Sequence, residues 1–233
     1  MIRAVIFDLD GTIADTETLH LAAFNEVLGA EGIEIASADY FARFVGFNDH
    51  DCFVAALEEH GHDANEELIA ALMVRKARVY QEMIADRDVL YPGAANFVRA
   101  CAARFPLLLA TGTLRAEAEA ILRRAQLRDL FLDIVAAEDV AHGKPEPDGF
   151  IAALGRLGFL LRQRNAVEAR DCLAVEDTAA GVEAAHRAGM RVLAVCQTCS
   201  REALAAAEVV RASLAETDLD EVLRSLSSMP SQP

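Results

Sequence analysis

Short runs of consecutive apolar residues recur along the chain, and between them the apolar positions change to three- and four-residue spacing. The first run is Ala4-Val5-Ile6-Phe7. Unbroken apolar runs of this length fit strands covered on both faces, as in a parallel sheet. Four more follow, at Leu107–Ala110, Ile134–Ala137, Cys172–Val175 and Val192–Val195. Helical spacing fills the intervals, from Ala94 to Arg104, Ala116 to Ala125, up to about Leu157, and Ala179 to Ala188. Two further helical segments are expected after Val195, with Ser225 to Pro233 as a frayed tail. Alternating strands and helices predict an α/β fold, a parallel sheet wrapped on both faces that binds ligands beyond the carboxyl ends of its strands.

Residues 16–88 break the alternation, because no strand pattern occurs there. Leu19, Ala22, Ala23, Val27 and Leu28 follow helical spacing until Gly29 and Gly32 stop it. Ser37 can cap a short helix ending near Gly46, and another runs from about Asp49 to His60, closed by Gly61. A long helix follows from about Asn65 to Ile84, with Leu68, Leu72, Val79 and Met83 on one stripe and Ile69, Met73 and Tyr80 beside it. The chain therefore divides into a discontinuous core, 1–15 and 89–233, and a helical insertion, 16–88, joined by connectors near Gly11–Thr16 and Asp86–Gly93. The stretch from Leu160 to Arg170 is longer and more charged than a turn requires and carries no functional reading.

The polar residues that end these strands carry the chemistry. The first strand runs into Asp8-Leu9-Asp10-Gly11-Thr12. Strand alternation puts Asp8 and Asp10 on one face, where two carboxylates repel unless a cation sits between them or one keeps its proton. An acidic turn capping the next helix is the plainer alternative. The five residues resemble the first motif of the haloacid dehalogenase superfamily of phosphotransferases. The dehalogenases themselves have no acid where Asp10 stands, so the resemblance is to the phosphatase and phosphomutase branch. It implies a Rossmann-like core and makes 16–88 a C1-type cap, which closes over the site and chooses the substrate.

Phosphoryl transfer needs an in-line nucleophile, neutralised equatorial oxygens and a proton for the leaving alcohol. By the resemblance, Asp8 is the nucleophile, giving an aspartyl phosphate. Asp10 protonates the leaving oxygen and then deprotonates the attacking water. Thr111, ending its strand like the second motif, would donate its hydroxyl to the phosphoryl group beside the Gly112 amide; Thr-Gly-Thr alone reads equally as a helix-capping turn. Lys144, in Gly-Lys-Pro-Glu-Pro-Asp, matches the third motif and would hold Asp8 and the phosphoryl group together. A lysine in such a loop is otherwise solvent-exposed. Glu176-Asp177 resembles the fourth motif, though an acidic pair can also simply start a helix. Hard oxygen ligands and a phosphate substrate suit Mg²⁺, held by the Asp8 carboxylate, the Asp10 main-chain carbonyl and Asp177, with Glu176 direct or through water.

Thr16, His20 and Lys76 are similar to the cap of β-phosphoglucomutase and its sugar-phosphate phosphatase relatives, where the last two would touch substrate. Lys76 shares a helix face with Met73 and Tyr80 and so points to the closed site, or lays its stem on the apolar face with its head in water. His20 can also be an ordinary polar position on a surface helix. One departure matters: where the mutase cap carries an arginine that grips a second phosphate, this chain reads Gly46-Phe47-Asn48-Asp49-His50-Asp51. An aspartate there repels a phosphate, which favours water as the acceptor. The expected activity is a Mg²⁺-dependent phosphatase of a small phosphorylated metabolite, a sugar phosphate or a phosphoglycolate-like acid. The alternatives are a phosphomutase and a catalytically silent phosphometabolite-binding protein. Intact Asp8, Asp10, Lys144 and Asp177 argue against the last, and the early cap lysine of phosphonate hydrolases has no counterpart.

Composition narrows the partners. With 22 basic and 37 acidic residues in 233, the net charge is -15. Such a field repels nucleic acid and anionic membranes, so an anionic substrate must meet a local positive site. Lys76 and Lys144 are the two lysines. Asp8 leaves no room before it for a signal peptide and no apolar run approaches the length of a membrane span, so a cytoplasmic monomer or homodimer is expected. The cysteines are Cys52, Cys101, Cys172, Cys196 and Cys199. Buried reduced thiols are the default, and Cys196-Gln-Thr-Cys199 is loosely the context of a redox dithiol.

Overall fold

Side chains of strand β1 (Ala4–Phe7) alternate between two cores: Val5 and Phe7 pack into one, Ala4 and Ile6 into the other. The same split occurs in β2 (Leu107–Ala110), β4 (Cys172–Glu176) and β5 (Arg191–Val195), which is why these segments read as continuous apolar runs. With β3 (Phe131–Val135) and β6 (Val209–Arg211) they form a parallel sheet in the order β3-β2-β1-β4-β5-β6. The computed structural model describes residues 1–161 and 167–228.

Helices α1 (Glu17–Leu28), α2 (Ser37–Asp39), α3 (Asp49–Glu59) and α4 (Glu66–Ile84) occupy the predicted insertion. Helix α4 packs along α1 and against α3. The Asn48 and Asn65 side chains cap α3 and α4, accepting from the amides of Asp51 and Leu68 at 2.9 Å each. On one face of the sheet, α5 (Ala94–Ala102), α6 (Arg115–Arg124) and α9 (Leu219–Ser228) contribute Phe97, Ile121 and Val222 to the core. On the other, α7 (Asp148–Leu161) and α8 (Ala179–Arg187) contribute Phe150, Leu157 and Val182. Among the described residues, no helix is long and apolar enough to cross a membrane.

Four expectations need correction. Ser37 does not cap a helix: it is the first residue of α2, no side chain caps that turn, and the chain passes into π-helical Tyr40–Phe44. The third strand begins at Phe131 and ends at Val135, while Ala137–Asp139 is a 3-10 turn. The two helical segments expected after Val195 are a run of turns, the edge strand β6, and α9. Ser225–Ser228 is the last turn of α9 and no frayed tail; 229–233, like 162–166 within the unassigned stretch 160–170, lies outside the described residues.

Candidate active site

The strand order reverses between β1 and β4, and in open α/β sheets the crevice at that point binds ligands. Asp8 follows β1 directly, its amide donating to Val175 O at 3.0 Å, and Glu176 ends β4. Lys144 Nζ lies 2.5 Å from Asp8 Oδ1 and 2.5 Å from Glu176 Oε1, so one ammonium bridges two carboxylates. The loop lysine is thus drawn inward.

Oxygens of Asp8, Glu176 and Asp177 lie within 4.8 Å of one another, and all three residues are buried. Asp177 Oδ1 accepts from the Thr12 hydroxyl at 2.9 Å, while Oδ2 is buried without a hydrogen-bond partner. Burial pushes the Asp8 carboxyl well above its usual range, against the pull of Lys144 and with the repulsion of Glu176 and Asp10. Burial raises Asp177 likewise, with Asp8 and Glu176 adding to it. Three hard oxygen donors, an orphaned lone pair and repulsion that one ammonium leaves incompletely offset are what a small divalent cation would relieve. The residues fit Mg²⁺.

Two glycines allow this approach. Gly11 has φ +75°, and a Cβ on it would stand 1.9 Å from Asp177 Oδ2. A Cβ on Gly181 would stand 2.0 Å from Glu176 Oε2. Gln197 clasps the same turn from the other side, its amide donating to the carbonyls of Gly11 at 2.8 Å and Thr12 at 2.9 Å.

Asp10 belongs to a second cluster. The Thr16 hydroxyl donates to its Oδ1 at 2.5 Å, and the hydroxyls of Thr111, at 3.3 Å, and Thr113 donate to Oδ2. Burial pushes this carboxyl up, but His20 and the Thr113 and Thr16 hydroxyls outweigh it and hold Asp10 well below the usual carboxylate range. Thr111 also accepts from the Thr113 amide at 3.1 Å. Thr113 was not singled out from the sequence, although it stands two residues from Thr111. Gly112 and Thr113 line the cavity over Asp8, and Thr111 lines the adjoining recess with Gly112 and Lys144.

The helical insertion closes that cavity from above. Lys76 is completely buried, its Nζ donating to Asp49 Oδ1 at 2.7 Å and standing 2.8 Å from His20 Nδ1. An ammonium has only donors, so His20 Nδ1 accepts and its Nε2–H faces Asp10 Oδ1 at 3.3 Å. Lys76 also sits 5.0 Å from the Phe24 ring centroid and 4.8 Å from that of Tyr80. Its head is therefore not in water, and it reaches the site through His20, which lines the cavity. Asp49, in the stretch expected to repel a phosphate, is paired through one oxygen; Oδ2 remains buried and unpartnered.

Glu17 stands in the cavity wall and Glu117 lies behind it near Lys76 and Asp49, and no local spacing reveals either. Glu17 is buried, and Tyr40 donates to its Oε2 at 2.8 Å; burial raises its carboxyl above the ordinary value. Glu117 on α6 is fully buried, neither of its oxygens has a partner, and burial, partly offset by Lys76, pushes its carboxyl up to about 7. Cys196 and Cys199 are half-buried free thiols, and burial raises Cys199 above its ordinary value. A wider cleft of ≈ 410 Å³ between Ile84, Leu90 and Ile121 holds none of the clustered carboxylates.

This arrangement accords with the relatives of the chain. The family model of haloacid dehalogenase-like hydrolases matches residues 2–189. Protein CbbY of Rhodobacter capsulatus is 35% identical over 82% of this chain and 84% of its own. The fructose-1-phosphate phosphatase YqaB of Escherichia coli is 34% identical over 80% of this chain and 92% of its own. The β-phosphoglucomutase of Bacillus subtilis is 34% identical over 84% of each. Among solved structures, CbbY of Rhodobacter sphaeroides in complex with xylulose-(1,5)bisphosphate superposes with a TM-score of 0.80 at 30% identity, over 93% of this chain and 96% of that one. The chain belongs to the haloacid dehalogenase-like hydrolase family, as an enzyme of its phosphatase and phosphomutase branch.

Proposed function

We propose that this chain is a Mg²⁺-dependent phosphatase that hydrolyses a small phosphorylated sugar through an aspartyl phosphate on Asp8. The observation that carries the reading is the Asp8 carboxylate held by Lys144 at 2.5 Å, beside the unpartnered Oδ2 of Asp177. Asp8, Glu176 and Asp177 would hold the cation, which when bound offsets the charge of the carboxylates and the phosphoryl oxygens. Lys144 pulls the Asp8 carboxyl towards its ionised form against burial, aligns it, and shares the equatorial charge.

Asp8 attacks phosphorus as the ester P–O bond breaks, and Asp10 gives its proton to the leaving oxygen. Water then attacks the same phosphorus; Asp10 takes its proton, the Asp8–phosphorus bond breaks, and inorganic phosphate leaves. The resting contacts of Asp10 favour the carboxylate, so proton delivery requires substrate to displace one of its donors. Residues 16–88 act as the cap, placing Glu17, His20, Tyr40 and Asp49 over the leaving group. The absence of an arginine at 46–51 supports water over a returning sugar phosphate as the acceptor. Names of the relatives, a fructose-1-phosphate phosphatase and a protein seen with xylulose-(1,5)bisphosphate, support a sugar phosphate as substrate.

The test is phosphate release from a panel of small phosphate esters, with Mg²⁺ and again with chelator. Metal-dependent release from one or a few sugar phosphates is expected. Steady conversion of a sugar 1-phosphate to its 6-phosphate without net phosphate release would establish the phosphomutase instead, as the resemblance to β-phosphoglucomutase allows.

A further inference from the structure

The cavity over Asp8 has two chemically opposite ends. At the phosphoryl end stands Lys144, the one lysine or arginine among the described residues that line it. At the leaving-group end stand the carboxyls of Glu17 and Asp49. Both residues are more than nine-tenths buried. Asp49 keeps a buried acceptor open, since its Oδ2 has no partner, and Glu17 accepts from Tyr40 at Oε2. The Lys76 ammonium neutralises one of the two charges, and its other neighbour is His20 Nδ1. Tyr40 donates a hydroxyl to Glu17 and adds no positive charge.

A buried acceptor left open requires a donor from the ligand. Sugar and polyol hydroxyls are donors; a phosphate dianion or an ionised carboxylate offers none and meets like charge. We propose that Glu17 and Asp49 are specificity-determining residues that accept hydrogen bonds from leaving-group hydroxyls, so the substrate is a neutral polyhydroxy monophosphate and ligands with a second anionic group are rejected. This rests on the phosphatase reading of the same site and narrows it: phosphoglycolate-like acids and sugar bisphosphates fall outside the substrate class.

Paired ligands that differ in one anionic group test it. Calorimetric Kd values would be measured in Mg²⁺ for a hexose 6-phosphate against the hexose 1,6-bisphosphate, and for glycerol 3-phosphate against phosphoglycolate. The protein is the full chain carrying Asp8→Asn, which cannot turn the ligands over. The neutral member of each pair should bind at least about tenfold tighter, the scale on which one unpaired buried charge discriminates. Adding Asp49→Asn or Glu17→Gln keeps the shape and removes a charge, and should narrow that ratio by about tenfold. Equal or tighter binding of the bisphosphate and phosphoglycolate would overturn the assignment, as would ratios that neither substitution moves. Phosphate release by the unsubstituted enzyme is read separately, so loss of the phosphatase reading is distinguishable from loss of this one.

Discussion

Replacing Gly11 with alanine is a one-carbon change whose consequence can be worked from the structure. At φ +75° a β-carbon costs about 1–2 kcal/mol of backbone strain. The larger effect is steric, because that carbon would stand 1.9 Å from Asp177 Oδ2 and 2.4 Å from Thr198 Oγ1. Even a tight contact of about 3.0 Å requires the Asp177 carboxyl to retreat by roughly 1 Å, and it cannot do so without disturbing its 2.9 Å bond from Thr12. If Asp177 is a metal ligand, a misplacement of that size should lower turnover about 100-fold and raise the Mg²⁺ needed for half-maximal activity at least about tenfold. Phosphate release across a Mg²⁺ titration reads both, with circular dichroism to confirm that the fold survives. A folded Gly11→Ala variant within about threefold of the original activity, at an unchanged Mg²⁺ requirement, would refute the placement of Asp177 at the metal.

Three other outcomes follow from buried charges. Lys76→Met strips Asp49 of its only ion-pair partner among the described residues and should lower stability in urea by about 3–5 kcal/mol; a change below about 1 kcal/mol would mean the pair is not buried as described. Glu117 has a folded pKa of about 7, raised by burial above its ordinary 4.5, so the folded state holds its proton over a range where the unfolded chain has lost it. Stability from this group is therefore present below about pH 4.5 and lost as pH rises towards 7. Glu117→Gln should be more stable than the original at pH 8 by roughly 2–3 kcal/mol relative to their difference at pH 4, and parallel pH–stability curves would contradict this. Because burial disfavours the Cys199 thiolate, phosphate release should be the same after treatment with a mild disulfide oxidant as after dithiol reductant; loss of activity on oxidation would revive a redox role for Cys196 and Cys199.

What the sequence revealed divides by range. Asp8, Glu176 and Asp177 were legible because each ends, or directly follows, a strand whose two faces are both buried, and such strands announce themselves as apolar runs; Lys144, in a loop well past β3, was legible only through its Gly-Lys-Pro motif. Strand β6 was not, since it has three residues at the sheet edge behind an alanine-rich stretch that mimics helical spacing. Ser37 misled because its residue type suits a cap, while the backbone starts the helix one residue earlier. The cap side was half legible. Lys76 could be placed on a face with Tyr80, but its partners Asp49 and His20 come from other elements, and no spacing within α4 predicts them. Glu17 and Tyr40 likewise meet from separate elements, and Glu117 comes near Lys76 only because α6 packs against α4, so no spacing within one element predicts either.

The central claim is that Asp8 is the group that takes the phosphoryl. Acid-quenching the enzyme during turnover of its best ester, and then mapping peptides by mass spectrometry, tests it most directly. The account predicts one phosphoryl group on the peptide carrying Asp8, localised to that residue, and no turnover or labelling in a folded Asp8→Asn variant. Turnover that persists in Asp8→Asn, or a phosphoryl group on another residue, would contradict it.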